Sequence, residues 1–420
     1  MSANSATSFP ARSRYTVLAA GFLGWLCAGV QLGLMPLASL SVSKSLMGAT
    51  FNDALAGDWF ARYTAAIMFG GAMGGIVFGW LGDRIGRSKA MGWSILFYSV
   101  FGGGGYFVTN QEQLILLRFL TGLGIGGMWP NGVALVSEFW SDVSRPMLAG
   151  LLGTSANIGV FVMSQLGTFR NVTPDSWRWL MLVSALPAVL GLFSLCCVPE
   201  SPAWLSIDAA GKTSKSATPL AELFRSPLLR LTLIGICLGA IPLIGAWGAS
   251  KWMIPWADKI GGAAQPGYKA TTQAYWAVGA ALGSLLGGHL ANLLGRRLTY
   301  FLISLGSVTT TVSIYLFLKP LETVFLPCVF VQGFISTLFF GWLPLYLPEL
   351  FPTRVRASGT GVSYNFGRFA SAAGVLGAGA LMRVFDGDYA RVGVITSLIY
   401  ALGLVIIWFA PDTTGKSLRD

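Results

Sequence analysis

Twelve runs of about twenty apolar residues occupy most of this chain, and that is the length a helix needs to cross the hydrocarbon core of a bilayer. They fall roughly at 15–37, 58–81, 89–108, 113–136, 146–168 and 177–198, then at 228–249, 271–294, 298–318, 324–347, 356–382 and 391–410. Lipid cannot satisfy backbone polar groups, so each run is predicted to be a helix. The expected fold class is all-α integral membrane: twelve transmembrane helices in two pseudo-symmetric six-helix bundles. The polar stretch 199–226 divides residues 1–198 from residues 227–420 and reads as a linker, with a short tail after the last helix.

The division into halves rests on a repeat. Gly79-Trp-Leu-Gly-Asp83-Arg84-Ile-Gly86-Arg87-Ser88 links the second and third apolar runs, and Gly288-His-Leu-Ala-Asn292-Leu-Leu-Gly295-Arg296-Arg297 follows 209 residues later. At the same offset Gly70 and Gly74 match Gly279 and Gly283. Further on, Gly122, Glu138, Arg145 and Gly150 match Gly333, Glu349, Arg356 and Gly361 with an offset of 211. Pro199-Glu200 after the sixth run is echoed by Pro411-Asp412 after the twelfth. Parallel repeats in a membrane protein imply a path between the two halves.

Composition fits this scheme. Charged residues make up 11% of the chain and hydrophobic ones 54%, whereas a soluble domain carries about 25% charged residues. The net charge of +11 does not indicate a nucleic-acid surface, because the basic residues sit mainly in short turns between apolar runs. Sixteen Lys and Arg fall on the side assigned to both termini, eleven on or near the other side, and Arg368 inside. By the positive-inside rule both termini are expected in the cytoplasm of a bacterium-like cell, with the chain multi-pass in the inner membrane. Met1–Arg14 is polar and basic, and the run after it is too long for a signal h-region, so it reads as the first span. Five cysteines lie in apolar segments and there is one histidine, so no disulfide framework, metal centre or cofactor is expected. No Ser/His/Asp set, H-E-x-x-H or membrane Asp pair suggests an enzyme.

The chain resembles the major facilitator superfamily over nearly its whole length. Gly79–Ser88 is similar to the G-x-L-A-D-R-x-G-R-R signature, with Gly82 and Ser88 as substitutions, and Arg118-Phe-Leu-Thr-Gly122-Leu-Gly124 resembles the fourth-helix R-x-x-x-G-x-G. Pro199-Glu200-Ser201-Pro202 and Pro411-Asp412-Thr-Thr-Gly415-Lys416 resemble the post-helix signatures of sugar porters. Pro348-Glu349-Leu-Phe-Pro352-Thr-Arg354-Val-Arg356, followed by Tyr364-Asn365-Phe-Gly367-Arg368, is similar to metabolite–proton symporters of the sialic-acid, lactate and aromatic-acid branch. That branch often reads G-W-x-x-D-G-x-D in the first helix. Here Gly24-Trp25-Leu-Cys-Ala28-Gly29-Val-Gln31 has neither acid, which removes the usual carboxylates for proton coupling.

Arg368 is the sharpest candidate. About twelve residues into its helix it lies roughly 18 Å deep, and an arginine there costs roughly 2.5–3.5 kcal/mol on insertion scales unless it faces a cavity or a partner. None of the seventeen acids falls near midplane, so a ligand carboxylate is the natural partner. The structural alternative is a tie to helix carbonyls, Asn365 or Gln332. Arg118 either captures an anion or anchors helix packing. Asp58 and Arg62 form an i,i+4 pair at a helix start, with a proton-switch role as the second reading. Gln31, Trp129, Asn131, Asn157, Gln165, Trp247, Gln273, Tyr275, Gln332, Trp342, Tyr364 and Asn365 are polar or aromatic residues within spans and are expected to line the path. Gly79, Asp83, Arg84, Gly86, Arg87, Glu138 and Arg145 form the cytoplasmic set of the first half. They are expected to join helices 2, 4 and 5 and latch the outward-open state. Gly288, Asn292, Gly295, Arg296, Glu349 and Arg356 form the corresponding set of the second, weakened by Asn292. The glycines of helices 2 and 8 read as packing surfaces.

The expected function is a monomeric transporter working by alternating access, carrying a small organic carboxylate or sugar acid, with or without a co-transported ion. The lipid bilayer is its surroundings and nucleic acid no partner. A neutral-sugar facilitator and a non-transporting nutrient sensor are the alternatives.

Overall fold

The computed structural model describes residues 10–140, 143, 145–209, 220–352 and 355–415. Among these the chain is helical, without strands. The first six crossings are α1 (Ala11–Met47), α2 (Asp53–Ile85), α3 (Arg87–Gly104), α4 (Gln111–Phe139), α5 (Arg145–Phe169) and α6 (Arg178–Ala185, resuming as Ala188–Cys197). The second six are α7 (Leu228–Gly248, resuming as Met253–Gly261), α8 (Tyr268–Leu294), α9 (Arg296–Phe317), α10 (Phe325–Glu349), α11 (Arg356–Val384) and α12 (Tyr389–Ser397, resuming as Ile399–Ile406). Nine of the twelve, counting only described residues, are both long and apolar enough to cross a membrane. The other three, α3, α5 and α11, are helices of 18, 25 and 29 residues.

The helices overrun the apolar runs. α1 reaches 37 residues with Pro36 inside it, and the short helices Pro202–Ala209 and Leu220–Leu223 lie within the 199–226 linker. The break in α7 has no counterpart among the sequence expectations: a 3₁₀ turn at Ser250–Trp252 separates its two parts.

The repeated glycines make the helix contacts. A Cβ at Gly70 or Gly74 of α2 would strike the carbonyl oxygen of Phe119 or Leu123 on α4. At the related positions of the second half, a Cβ at Gly279 or Gly283 of α8 would strike that of Phe330 or Phe334 on α10. Small residues let helix backbones meet directly where no hydrophobic effect pulls them together. Gly86 and Gly295 turn the chain between α2 and α3 and between α8 and α9, with φ of 104° and 86°, a region open to glycine but strained for other residues.

The two groups of six meet along two seams, α2 against α11 and α5 against α8. Three buried apolar cores show how the groups are joined. One lies at the face away from the termini (the distal face) and draws on both halves, with Phe60 and Tyr63 of α2 beside Trp252, Met253 and Met382. At the face carrying the ends of α1 and α12 (the terminal face) the cores are separate. One belongs to the second half apart from Leu223 of the linker, and the other to the first half apart from Ala372 and Trp247.

Polar contacts reinforce the distal seal. Lys269 of α8 donates from Nζ to Ser41 Oγ at 3.1 Å and to the Val172 carbonyl at 2.9 Å, both in the first half, while pairing with Asp258 at 2.8 Å. Lys259 pairs with Asp53 at 3.1 Å, and Arg383 with Asp58 at 3.7 Å. On the terminal side the seam-facing stripes open out. Gly361 lies one turn before Tyr364 and two before Arg368 on one face of α11, and Gly150 stands likewise to Thr154 and Asn157 on α5. A Cβ at either glycine would meet nothing within 4 Å. The two halves thus share one buried core at the distal face and keep separate cores at the terminal one.

Candidate functional site

Arg368 sits at the α2–α11 seam, and it is 8% exposed. Its Nη1 donates to the Gly71 carbonyl of α2 at 3.0 Å, and its guanidinium lies 5.1 Å from the centre of the Tyr364 ring. No ion pair reaches it among the described residues. One of five N–H groups is committed, which leaves most of the planar fork for a ligand. Asn365 packs its amide against Gly75 of α2, where a Cβ would lie 3.0 Å from Oδ1. At the opposite seam Asn157 donates to the Ala280 carbonyl and to Ser284 Oγ, each at 3.3 Å, and Thr154 meets Ser284 at 3.1 Å. Gln273 is fully buried against Gly33 of α1, and neither atom of its amide has a partner. Trp129 packs on Trp25 with ring centres 4.9 Å apart.

The remaining candidates stand elsewhere. Gln31 turns into the first half, where Nε2 donates to the carbonyls of Ser184 at 2.7 Å and Tyr98 at 3.2 Å. Arg118 is 2% exposed and donates from Nη2 to the Gln31 carbonyl at 3.0 Å, with Nε and Nη1 unpartnered. Asn131 uses its amide to tie α4 to the Phe78 carbonyl of α2, and a Cβ at Gly82 would strike its Oδ1. Gln332 and Trp342 belong to the interior of the second half: Gln332 accepts from Trp276 Nε1 and donates to Ser250, and Trp342 donates to the Arg296 carbonyl. In this structure these hydrogen bonds of the five all join helices within a half, although Arg118 and the Gln31 Oε1 keep unpartnered atoms. Gln165 and Tyr275 are exposed, and Trp247 is partly buried near the α7 break.

The charge sets form two matching triads. In the first half Arg87 of α3 pairs with Glu138 of α4, whose other oxygen accepts from Ser201 Oγ. Glu200 caps α3, accepting from the Ser88 amide at 2.9 Å, and Ser88 Oγ donates to the Val198 carbonyl at 2.9 Å. In the second half Arg296 grips Glu349 with two bonds, at 2.8 and 3.1 Å, and Thr413 Oγ1 donates to Glu349 at 2.5 Å. Asn292 does not weaken this set, because its Oδ1 accepts from Arg296 Nη1 at 2.9 Å. Both triads lie within single halves, as expected, but the hydrogen bonds of the first join α3 to α4 and to Ser201, and not helices 2, 4 and 5.

Asp83 is exposed, its carbonyl accepts from Trp204 Nε1 at 3.0 Å, and its carboxylate lies within Coulombic range of Arg87. Arg84 lies over the Trp80 ring at 4.0 Å. Gly79 has open space around it, and Gly288 approaches the Gly341 carbonyl. Arg356 donates to the Phe351 carbonyl at 3.3 Å, and the side chain of Arg145 lies outside the described residues. Asp58 is 4% exposed and pairs with Arg62 at 2.8 Å as well as with Arg383, so it belongs to the distal seal.

Two buried lysines escaped the sequence reading, which counted them among distal-side charges: Lys269, described above, and Lys251 at the α7 break, 2% exposed. Their signal in the sequence was their position inside or at the edge of an apolar segment, away from Gly-rich turns.

Comparison with known proteins agrees with this architecture. Residues 17–375 match the family described as Major Facilitator Superfamily. The cis,cis-muconate transport protein of Acinetobacter baylyi is 29% identical, with 84% of this chain and 83% of that protein aligned. The sialic acid transporter NanX of Escherichia coli is 26% identical, with 82% of each aligned. Among solved structures, the proton:xylose symporter XylE bound to 6-bromo-6-deoxy-D-glucose superimposes with a TM-score of 0.74 at 15% identity, covering 98% of both chains. It is a multi-pass membrane transport fold, and this chain belongs to the Major Facilitator Superfamily.

Proposed function

We propose that this transporter carries a small organic carboxylate, received between the halves by Arg368. The supporting observation is a guanidinium at mid-membrane depth whose one hydrogen bond is to a neutral carbonyl. A guanidinium recognises a carboxylate through two parallel charge-assisted bonds. The Tyr364 ring and the seam amides of Asn365, Asn157 and Gln273 supply stacking and hydrogen bonding around it. Relatives named for muconate and sialic acid transport favour an acid over a neutral sugar.

Transport proceeds by rocking of the halves about the α2–α11 and α5–α8 seams. The distal seal and terminal cleft correspond to one end of that cycle. With the termini in the cytoplasm, as the distribution of Lys and Arg favours, the cleft faces inward and the protein sits in the inner membrane. Arg368→Gln is the test. In proteoliposomes it should abolish carboxylate uptake while the protein still inserts and purifies as a folded species. Unchanged uptake rejects the anion site.

A further inference from the structure

The break in α7 is built, not frayed. Tyr315 Oη donates to the Ala249 carbonyl at 2.7 Å, Ser250 Oγ is held by Gln332 and by Tyr400 Oη, and Trp252 Nε1 donates to the Trp247 carbonyl at 3.0 Å. Four residues of the second half and of α7 itself thus fix a 3₁₀ turn whose middle residue is Lys251. Its Nζ is buried without a hydrogen-bond partner. It lies 3.3 Å from the centre of the Trp276 ring and 5.9 Å from that of Trp247. Indole faces stabilise a cation but do not neutralise it, and a buried charge without a counter-ion is costly. A scaffold that holds a lysine in this position is matched to an anion that comes and goes.

Lys251 and Arg368 do not share one ligand. Ser371 of α11 donates to the Leu243 carbonyl of α7 at 3.1 Å, which sets the register of these two parallel helices. Arg368 lies three residues to the terminal side of that contact and Lys251 eight residues to the distal side. The two cations are therefore roughly 16 Å apart along the axis, beyond the reach of one small acid. The neighbours Trp252 and Met253 belong to the shared distal core, so opening that core uncovers Lys251.

We infer that Lys251, with the faces of Trp276 and Trp247, is a second carboxylate station near the distal gate, selective for planar, unsaturated or aromatic acids. It receives the anion when the distal face is open and precedes Arg368 on the path. The inference rests on the carboxylate reading and adds a site and a selectivity to it.

The test uses the full-length protein in proteoliposomes, with benzoate as probe and cyclohexanecarboxylate and benzamide as competitors. Lys251→Gln should raise the KM for benzoate added at the distal face by roughly tenfold or more, the loss of one charge-assisted contact, with kcat little changed. Lys251→Arg keeps the charge and should stay near wild type. Trp276→Phe should narrow the preference for benzoate over cyclohexanecarboxylate, and benzamide should compete poorly with every variant that retains the cation. A wild-type KM in Lys251→Gln overturns the proposal, as does an equal loss in Lys251→Arg, which marks a packing role. Carboxylate uptake that needs Arg368 but ignores Lys251 rejects this station alone. A wild type that carries no carboxylate rejects the wider reading.

Discussion

Arg368 on α11 donates to the carbonyl oxygen of Gly71 on α2 at 3.0 Å, so the cation assigned to the ligand is also a bond between the two halves. A carboxylate that recruits the guanidinium competes with this contact and loosens the seam it crosses. Binding and rocking are thereby connected through one side chain. Arg368→Lys keeps the charge but loses the planar fork. It is expected to retain uptake with affinity lowered by about 10-fold or more, on the scale of a charged hydrogen bond. Concentration dependence of uptake in proteoliposomes checks this, and wild-type affinity in the lysine variant would remove the bidentate geometry from the account.

The glycines separate into two classes with opposite expectations. At Gly74 and Gly283 an added methyl meets backbone oxygen, which cannot rotate away, so alanine there should destabilise by about 1–3 kcal/mol. At Gly150 and Gly361 the same methyl enters open space. Alanine there gains the entropy difference of a helix interior, about 0.5–1 kcal/mol, and should leave the melting temperature in detergent unchanged or raised. Thermal unfolding of the four single variants distinguishes the classes.

Much of this scaffold was legible in the sequence, because a bilayer constrains span length and a half-repeat exposes positions where backbones must meet. Gly70 and Gly74 with their partners Gly279 and Gly283 were readable as packing contacts on that ground. The depth of Arg368 followed from rise per residue alone. Polar residues within spans were harder to place. Asn131 and Asn157 look alike in sequence, yet one is consumed by the Phe78 carbonyl inside a half and the other crosses to α8. Which carbonyls a side chain can reach is fixed by helix rotation and register, and neither is encoded locally. The same limit hid Lys251 and Lys269, since a lysine near a helix end reads as a loop charge until the neighbouring helices are placed over it.

The triads predict a stability effect without a conformational bias. Arg296 has a side chain only 10% exposed and relies on Glu349 for its charge. Glu349→Ala leaves that cation without its carboxylate and should cost about 3 kcal/mol or more, as breaking a buried pair does. Thr413→Val removes one hydrogen bond to the same carboxylate and should cost about 1 kcal/mol. Because the triad lies within one half, neither change should alter the ratio of distal-open to terminal-open molecules, as read from labelling of single cysteines at each face. A strong shift in that ratio would restore a gating role to the set.

Lys269 should behave in the opposite way. Its ammonium reaches from α8 to Ser41 Oγ and the Val172 carbonyl in the first half while Asp258 offsets its charge. These bonds exist only while the distal face is closed. The neighbouring Lys259–Asp53 pair is partly exposed, and Arg383 reaches Asp58 only at 3.7 Å from an exposed side chain. Exposed pairs contribute about 0–1 kcal/mol, so the largest share of the polar seal rests on Lys269. Lys269→Met removes two cross-half bonds, a loss of about 2 kcal/mol from the closed state, which corresponds to a shift of roughly 30-fold toward the distal-open one. In a background lacking the five native cysteines, a cysteine at Leu37, which packs near Gly167 in the shared core, should then react faster with maleimide added at the distal face. Lys259→Met should change that rate far less. Equal labelling in both variants would mean that apolar packing alone holds the gate shut.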